Sequence, residues 1–230
     1  YTMEYIDVLA LYYSYSSIKS TYEYWKDYNY QNSGSKSTIA GIWNNLYSNI
    51  SQANCILEWA DKNASVLSES QRNQIRGEAL GLRAFLHFEV YRMFSPDVKR
   101  APKSDGIPYN KEFGVSLPPM YSAEETIQLI INDLKEAEQC LQNDPIEDVV
   151  PYEIRTTTDQ GELREAIRHE RRVELGLEFD RFYDLVRWGI AKEVLQAAGK
   201  NYQDKNALLP LPQTEIDKSK GVLVQNPDYQ

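Results

Sequence analysis

The sequence predicts an all-α protein in which helical hairpins pack as a bundle, with long irregular loops and an extended C-terminal tail. Three observations carry that expectation. Apolar residues recur at steps of three, four and seven through several long segments, the period of an amphipathic helix. Those segments open on capping pairs, Ser68 with Gln71, Ser122 with Glu125 and Asp159 with Glu162, in which a side chain accepts from a backbone N–H that the first helical turn leaves unpaired. The prolines fall between the segments, where a missing N–H and a fixed φ do a helix no damage.

Residues 3–25 read as a first helix, dense in Tyr, Leu and Ile. Residues 26–36 (KDYNYQNSGSK) are polar and rich in Asn, Ser and Gly, and read as a loop. A second helix spans 37–62, with Trp43, Tyr47, Ile50 and Leu57 as its core face, widened by Leu46 and Ala53. Asn54 stands in the same stripe and needs a hydrogen-bond partner once buried. The third helix runs from the Ser68 cap to about Phe94. Its stripe is Ile75, Ala79, Leu82, Leu86 and Val90, with Phe85 and Phe88 beside it. Gly77, Ala79, Gly81 and Ala84 let a neighbouring helix come close. A glycine costs a helix interior about 1 kcal/mol relative to alanine, so these glycines have a packing reason.

Residues 95–121 carry Pro96, Pro102, Pro108, Pro118 and Pro119 and read as a long irregular excursion, a kind of segment that is often functional. A fourth helix follows the Ser122 cap, with Ile127, Ile130, Ile131, Leu134, Ala137 and Leu141 on its face. Residues 143–158 are polar and contain proline. A fifth helix runs from the Asp159 cap to about Phe179. A sixth begins near Asp180 or Asp184 and ends near Ala198, before Gly199. The tail from Leu208 to Gln230 reads as extended coil with one turn, pinned across the bundle by Leu208, Leu209 and Leu211. The whole, 1–230, reads as one domain. Its paired helices resemble tetratricopeptide units, without a clean repeat of about 34 residues.

Composition narrows the function. The net charge is -9, a field that repels phosphate backbones, and no basic stripe interrupts it, so nucleic acid is not an expected partner. No apolar run is long enough to span a membrane as a helix. The first residues, YTMEYIDVLALYYSY, lack the basic n-region of a signal peptide. Cys55 and Cys140 have no His or Cys at metal-ligand spacing, and no metal or cofactor is expected. Seventeen Tyr and four Trp suit either helix interfaces or a binding surface.

The densest polar cluster lies between Arg164 and Gly189. Glu170, Glu174 and Glu178 recur at helical spacing and could be read as hydrolytic carboxylates. Arginines stand where they would neutralise those acids. Arg171, Arg172, Glu174, Glu178 and Arg187 therefore read as a structural ion-pair cluster, not a catalytic one. His87 sits among Phe85, Leu86 and Phe88 and reads as a packing residue; His169 lies in the charged helix. No nucleophile, nucleotide or zinc motif occurs in the sequence.

Several blocks, in order, resemble the SusD/RagB family. They are IAGIWNNLYSNISQANCILE (39–58), RNQIRGEALGLRAFLHFEVYRMFS (72–95), YSAEETIQLIINDLKEAEQCL (121–141), IRHERRVELGLEFDRFYDLVRWG (167–189), LLPLPQTEID (208–217) and QNPDY (225–229). The resemblance implies a non-catalytic outer-membrane surface lipoprotein with tetratricopeptide-like helices. It implies pairing with a TonB-dependent, SusC-like transporter barrel and capture of an oligosaccharide or other oligomer. The sequence departs from the family in length, as a shortened or internally truncated member with the missing segment around 143–158. It also lacks an anchoring cysteine near the first residue, since neither Cys55 nor Cys140 could serve. Given a sugar-like ligand, Trp25, Tyr28 and Tyr30 beside the polar loop, and Tyr109 in the Pro-rich excursion, are the expected stacking rings. Two other readings stand beside this one: a helical adaptor for protein or peptide without glycan affinity, and a glycoside hydrolase.

Overall fold

A computed structural model of the chain describes residues 24–25, 27–114, 118–141, 159–174 and 180–229; the side chains of 170 and 172–174 are not among those described. The expected first helix, apart from Tyr24 and Trp25, lies outside these ranges. So do residues 143–158 and the stretch 175–179. The chain divides into two compact units, one formed by residues 1–34 and 145–204, the other by 35–144 and 205–230. The architecture is all-α, as the periodicity predicts.

The second unit is built on three helices: α1 (Ser33–Lys62), α2 (Glu69–Phe94) and α3 (Ala123–Leu141). α1 starts a turn earlier than its apolar stripe suggests, with Asn32 Oδ1 accepting the Gly34 N–H at 2.8 Å. α2 begins at a complete capping box: Ser68 Oγ accepts from Gln71 N at 3.2 Å and Gln71 Oε1 from Ser68 N at 3.0 Å. Ser122 and Glu125 close the same motif at α3, at 3.2 and 2.8 Å, and the Ser122 N–H and hydroxyl hold the Glu125 carboxyl below its ordinary range.

Contacts fix the directions of these helices. Trp43 meets Phe94 edge-to-face, Asn54 meets Arg83 and Asp61 meets Arg76, so α1 and α2 run antiparallel. Arg76 pairs with Glu136 and Arg83 with Asp133, so α3 turns back along α2. The α2–α3 seam is close because Gly77 permits it: a Cβ there would stand 2.5 Å from Leu141 Cγ and 3.1 Å from Cys140 Cβ.

That seam corrects two of the expected stripes. Leu82, Phe85 and Phe88 of α2 and Ile131 and Leu134 of α3 face solvent, while Arg83, His87, Thr126 and Asp133 are buried. The small residues of α2 sit against α3, which rotates the large apolar ones out of the interface.

The Pro-rich excursion is less irregular than expected. β1 (Asp105–Pro108) pairs antiparallel with β2 (Met120–Ser122), which brings the excursion back to the first turn of α3. The tail closes the same unit. A 3-10 turn (Asp204–Ala207) precedes the tail expected as coil with one turn, α4 (Gln213–Lys218) lies within it, and Leu209 and Leu211 are buried. Side chains from the last residues replace a ladder. Gln225 exchanges two bonds with the backbone of Leu211, at 2.7 and 2.9 Å. Asn226 Nδ2 donates to the carbonyls of Phe94 at 3.1 Å and Leu209 at 2.7 Å.

The first unit contains α5 (Gln160–Glu174), α6 (Arg181–Arg187) and α7 (Ala191–Ala197). Asp159 Oδ1 accepts from Glu162 N at 2.8 Å, as its cap spacing predicts. The expected sixth helix is two short ones. Gly189, at φ 75, breaks it between Trp188 and Ile190 by entering the left-handed region that ends helices.

Candidate functional site

The interior of the second unit holds a polar network. Arg83 donates from Nε and Nη2 to the two carboxylate oxygens of Asp133, at 2.7 and 2.8 Å, and from Nη1 to Asn54 Oδ1 at 3.0 Å. The planar fork of a guanidinium matches a carboxylate in this way, and both partners are buried. Tyr109 Oη donates to Asp133 Oδ2 at 2.7 Å. Asn54 Nδ2 donates onward to the carbonyls of Asn110 at 3.1 Å and Glu112 at 3.2 Å. Tyr47 Oη donates to the carbonyl of Pro108 at 2.8 Å. Three helices thus grip residues 108–112 through side chains.

His87 completes the grip. Its ring lies over that of Tyr109, with centroids 3.8 Å apart and 15° between the planes. Nδ1 is 2.9 Å from the carbonyl of Arg83, and Nε2 accepts the Asn110 N–H at 3.1 Å. Burial lowers its pKa from 6.5 to about 4; the Arg83 carbonyl on Nδ1 and Asp133 act against that shift, and the charges of Arg83 and Lys111 act with it. Burial raises the phenol of Tyr47 and that of Tyr109, which Asp133 raises further. The imidazole, the two phenols and the ion pair are engaged with one another and with residues 108–112, and together they position that loop.

The structure therefore corrects the expected stacking rings. Tyr109 is a core residue of this network, not a surface ring. Trp25, Tyr28 and Tyr30 are also buried. Trp25 and Tyr30 stand edge-to-face at 5.5 Å, and Tyr28 meets Tyr202 at 5.5 Å, with Phe182 beyond Tyr202 at 6.3 Å. Rings in T-shaped contact gain from one another what a ligand face would have offered.

Arg171 Nε and Arg187 Nη2 donate to opposite oxygens of Asp184, at 2.9 and 2.7 Å. Asp184 is buried, while both arginines reach solvent. The side chains of Arg172, Glu174 and Glu178, the other expected members of the cluster, lie outside those described. Trp188 has the guanidinium carbons of Arg168, Arg181 and Arg187 at 5.1, 5.8 and 5.9 Å from its ring, within cation–π range. Among the described residues, no group of three His, Cys, Asp or Glu could hold a metal ion, and no helix is long and apolar enough to cross a membrane.

The rings that do face solvent in the second unit include Trp59, half exposed, and Phe113, at 54 %. Phe113 directly follows the gripped stretch 108–112. The sequence carried a signal for Trp59: two residues past Leu57, it stands on the opposite side of α1 from the core stripe. Phe113 had no comparable signal, because nothing in the excursion is periodic. The fold and site define a helical scaffold with a buried ion pair at its centre and several exposed rings on its surface.

Comparison with known proteins gives that scaffold a family. A family model described as "Starch-binding associating with outer membrane" matches residues 4–157, and one described as "SusD family" matches residues 125–229. The chain belongs to the SusD/RagB family. A curated relative, the SusD-like protein P2 of Formosa agariphila, is 37% identical over 75 residues, which is 30% of this chain and 15% of the relative. A crystal structure of a SusD-like carbohydrate binding protein from Bacteroides vulgatus is 20% identical, with a TM-score of 0.49, over 88% of this chain and 40% of that one. The chain thus spans less than half the length of these relatives.

Proposed function

We propose that the chain acts as a non-catalytic, cell-surface binding component of a TonB-dependent glycan uptake system. In this reading it sits on the extracellular face of the outer membrane, lipid-anchored in the full-length precursor, and works with a SusC-like transporter barrel. The observation that carries the reading is the family match over residues 4–157, whose description names starch and the outer membrane. The inward-turned network supports it, since its groups are engaged with one another and hold a loop in place.

Phe113 and Trp59 are the most exposed rings among the described residues. A pyranose offers an apolar face edged by hydroxyls, which suits stacking on an aromatic with polar groups at its rim. Calorimetry with malto-oligosaccharides tests the proposal, because starch is the glycan the family description names. Binding that weakens about tenfold in Phe113→Ala or Trp59→Ala, the effect of losing roughly 1.4 kcal/mol of contact, supports it. No heat of binding to starch-type or other glycans in the folded chain would refute it, and release of reducing sugar would favour the hydrolase reading instead.

One observation favours the adaptor reading. Leu82, Phe85 and Phe88 on α2 and Ile131 and Leu134 on α3 are exposed apolar residues, and such surfaces mark protein contacts when they are contiguous. Co-purification with the transporter barrel, and its loss in Phe85→Asp, is the corresponding test.

A further inference from the structure

We infer that residues 109–112 form an acid-released loop, latched by His87 in a single tautomer. The geometry fixes the latch. A carbonyl oxygen can only accept, so the Arg83 carbonyl at 2.9 Å requires a proton on Nδ1. A backbone N–H can only donate, so Asn110 N at 3.1 Å requires a bare Nε2. Both ring nitrogens are used, and the residue has no exposed surface. A second proton would have to go on Nε2, where it would face the Asn110 N–H. One of the two must then move.

The helix side is the firmer. His87 lies within α2, whereas Asn110 lies in a loop held largely by side chains. Protonation therefore displaces Asn110 and, with it, the ring of Tyr109 stacked at 3.8 Å. The two bonds from Asn54 to the carbonyls of Asn110 and Glu112 share that segment. The groups facing the imidazole come from every element packed on it. They are Tyr47 of α1, Arg83 of α2, Asp133 of α3, and Tyr109 and Lys111 of the loop. Burial opposes the proton most, together with the charges of Arg83 and Lys111; the Arg83 carbonyl and Asp133, itself engaged by Arg83, favour it. The ring accordingly stays neutral until the pH approaches about 4. The loop leads directly to exposed Phe113, so its release would also alter the surface ring next to it.

Amide hydrogen exchange with NMR of the imidazole nitrogens, on the intact chain, tests the latch. At neutral pH the nitrogen shifts should report the Nδ1–H tautomer. As His87 titrates, the protection factor of Asn110 should fall about tenfold or more, while Val90 in α2 and Ile130 in α3 stay protected. In His87→Gln, which offers one donor and one acceptor without titrating, Asn110 protection should not change over that range. An Nε2–H tautomer, Asn110 protection unaltered while His87 titrates, or loss of protection at Val90 and Ile130 together with Asn110 would each overturn the inference. The wild-type measurements decide it even where His87→Gln fails to fold.

Discussion

At the scale of the residue, a few charged residues are buried among the described ones, and Arg83 and Asp133 are buried against each other. Removing one member of a buried pair leaves the other charge desolvated and unpaired, a cost of about 3–5 kcal/mol. Replacing both by apolar residues removes the desolvation cost as well. Arg83→Met or Asp133→Leu alone should therefore lower the melting temperature by roughly 10 °C, given about 2–4 °C per kcal/mol for a chain of this size. The double variant should recover only part of that loss, because Asn54 Oδ1 and Tyr109 Oη still lose a partner, and a thermal melt of the three checks it. His87 adds a pH dependence with a definite sign. Its pKa is about 4 when folded against 6.5 for the free side chain. The unfolded chain thus binds a proton that the folded one refuses between those values. Stability is complete above the unfolded pKa and declines as pH falls toward the folded one, by roughly 3 kcal/mol in all. Chemical denaturation at pH 7 and pH 4.5 should show the decline in the wild type and a smaller one in His87→Gln.

At the scale of the element, the sequence marks where helices start far better than which way they face. Ser68–Gln71, Ser122–Glu125 and Asp159–Glu162 each form the expected side-chain cap, because capping is chemistry within one turn and needs no partner element. The faces of α2 and α3 depend on a partner. A hydrophobic stripe sums apolar residues and cannot register that Gly77 lets α3 approach along another line, or that Arg83 and Asp133 satisfy each other across the seam. Asn54 was legible as a buried amide needing partners; that one would be Arg83 and two would be carbonyls 56 and 58 residues away was not. The rings at Trp25, Tyr28, Tyr30 and Tyr109 were misplaced for the same reason, since an aromatic beside a polar loop looks alike in sequence whether or not another ring covers it. Gly77 allows a direct test of the seam. Gly77→Ala gains about 1 kcal/mol of helix propensity but sets its Cβ 2.5 Å from Leu141 Cγ, and overpacking of this kind costs about 1–3 kcal/mol. The variant should be neutral to destabilised by roughly 2 kcal/mol in urea titration. Adding Leu141→Ala should turn Gly77→Ala into a gain, and failure of that rescue would remove the close seam from the explanation.

At the scale of the whole molecule, the second unit is discontinuous: residues 205–230 return to a body otherwise built from 35–144. Its closure depends on few side chains. Asn226, buried, reaches the last carbonyl of α2 across 132 positions of sequence and the Leu209 carbonyl across 17. Tyr229 Oη donates to the carbonyls of Lys205 and Leu208, both at 2.9 Å. These side chains do the work of a missing strand, so the cost of losing one is the cost of leaving buried carbonyls without a donor, about 1–3 kcal/mol each. Asn226→Ala should thus destabilise the second unit by roughly 2–4 kcal/mol when both carbonyls remain dry. Asn226→Asp, of the same shape but without the amide donor, should be at least as damaging, because its carboxylate would face two carbonyl oxygens. Exchange of the backbone amides around Met93 and Leu209 should rise in both variants, and those of α5 in the first unit should not. An Asn226→Asp protein as stable as the wild type would show that the tail is held by its apolar residues, Leu209, Leu211 and Leu223, and that the amide clamp is incidental.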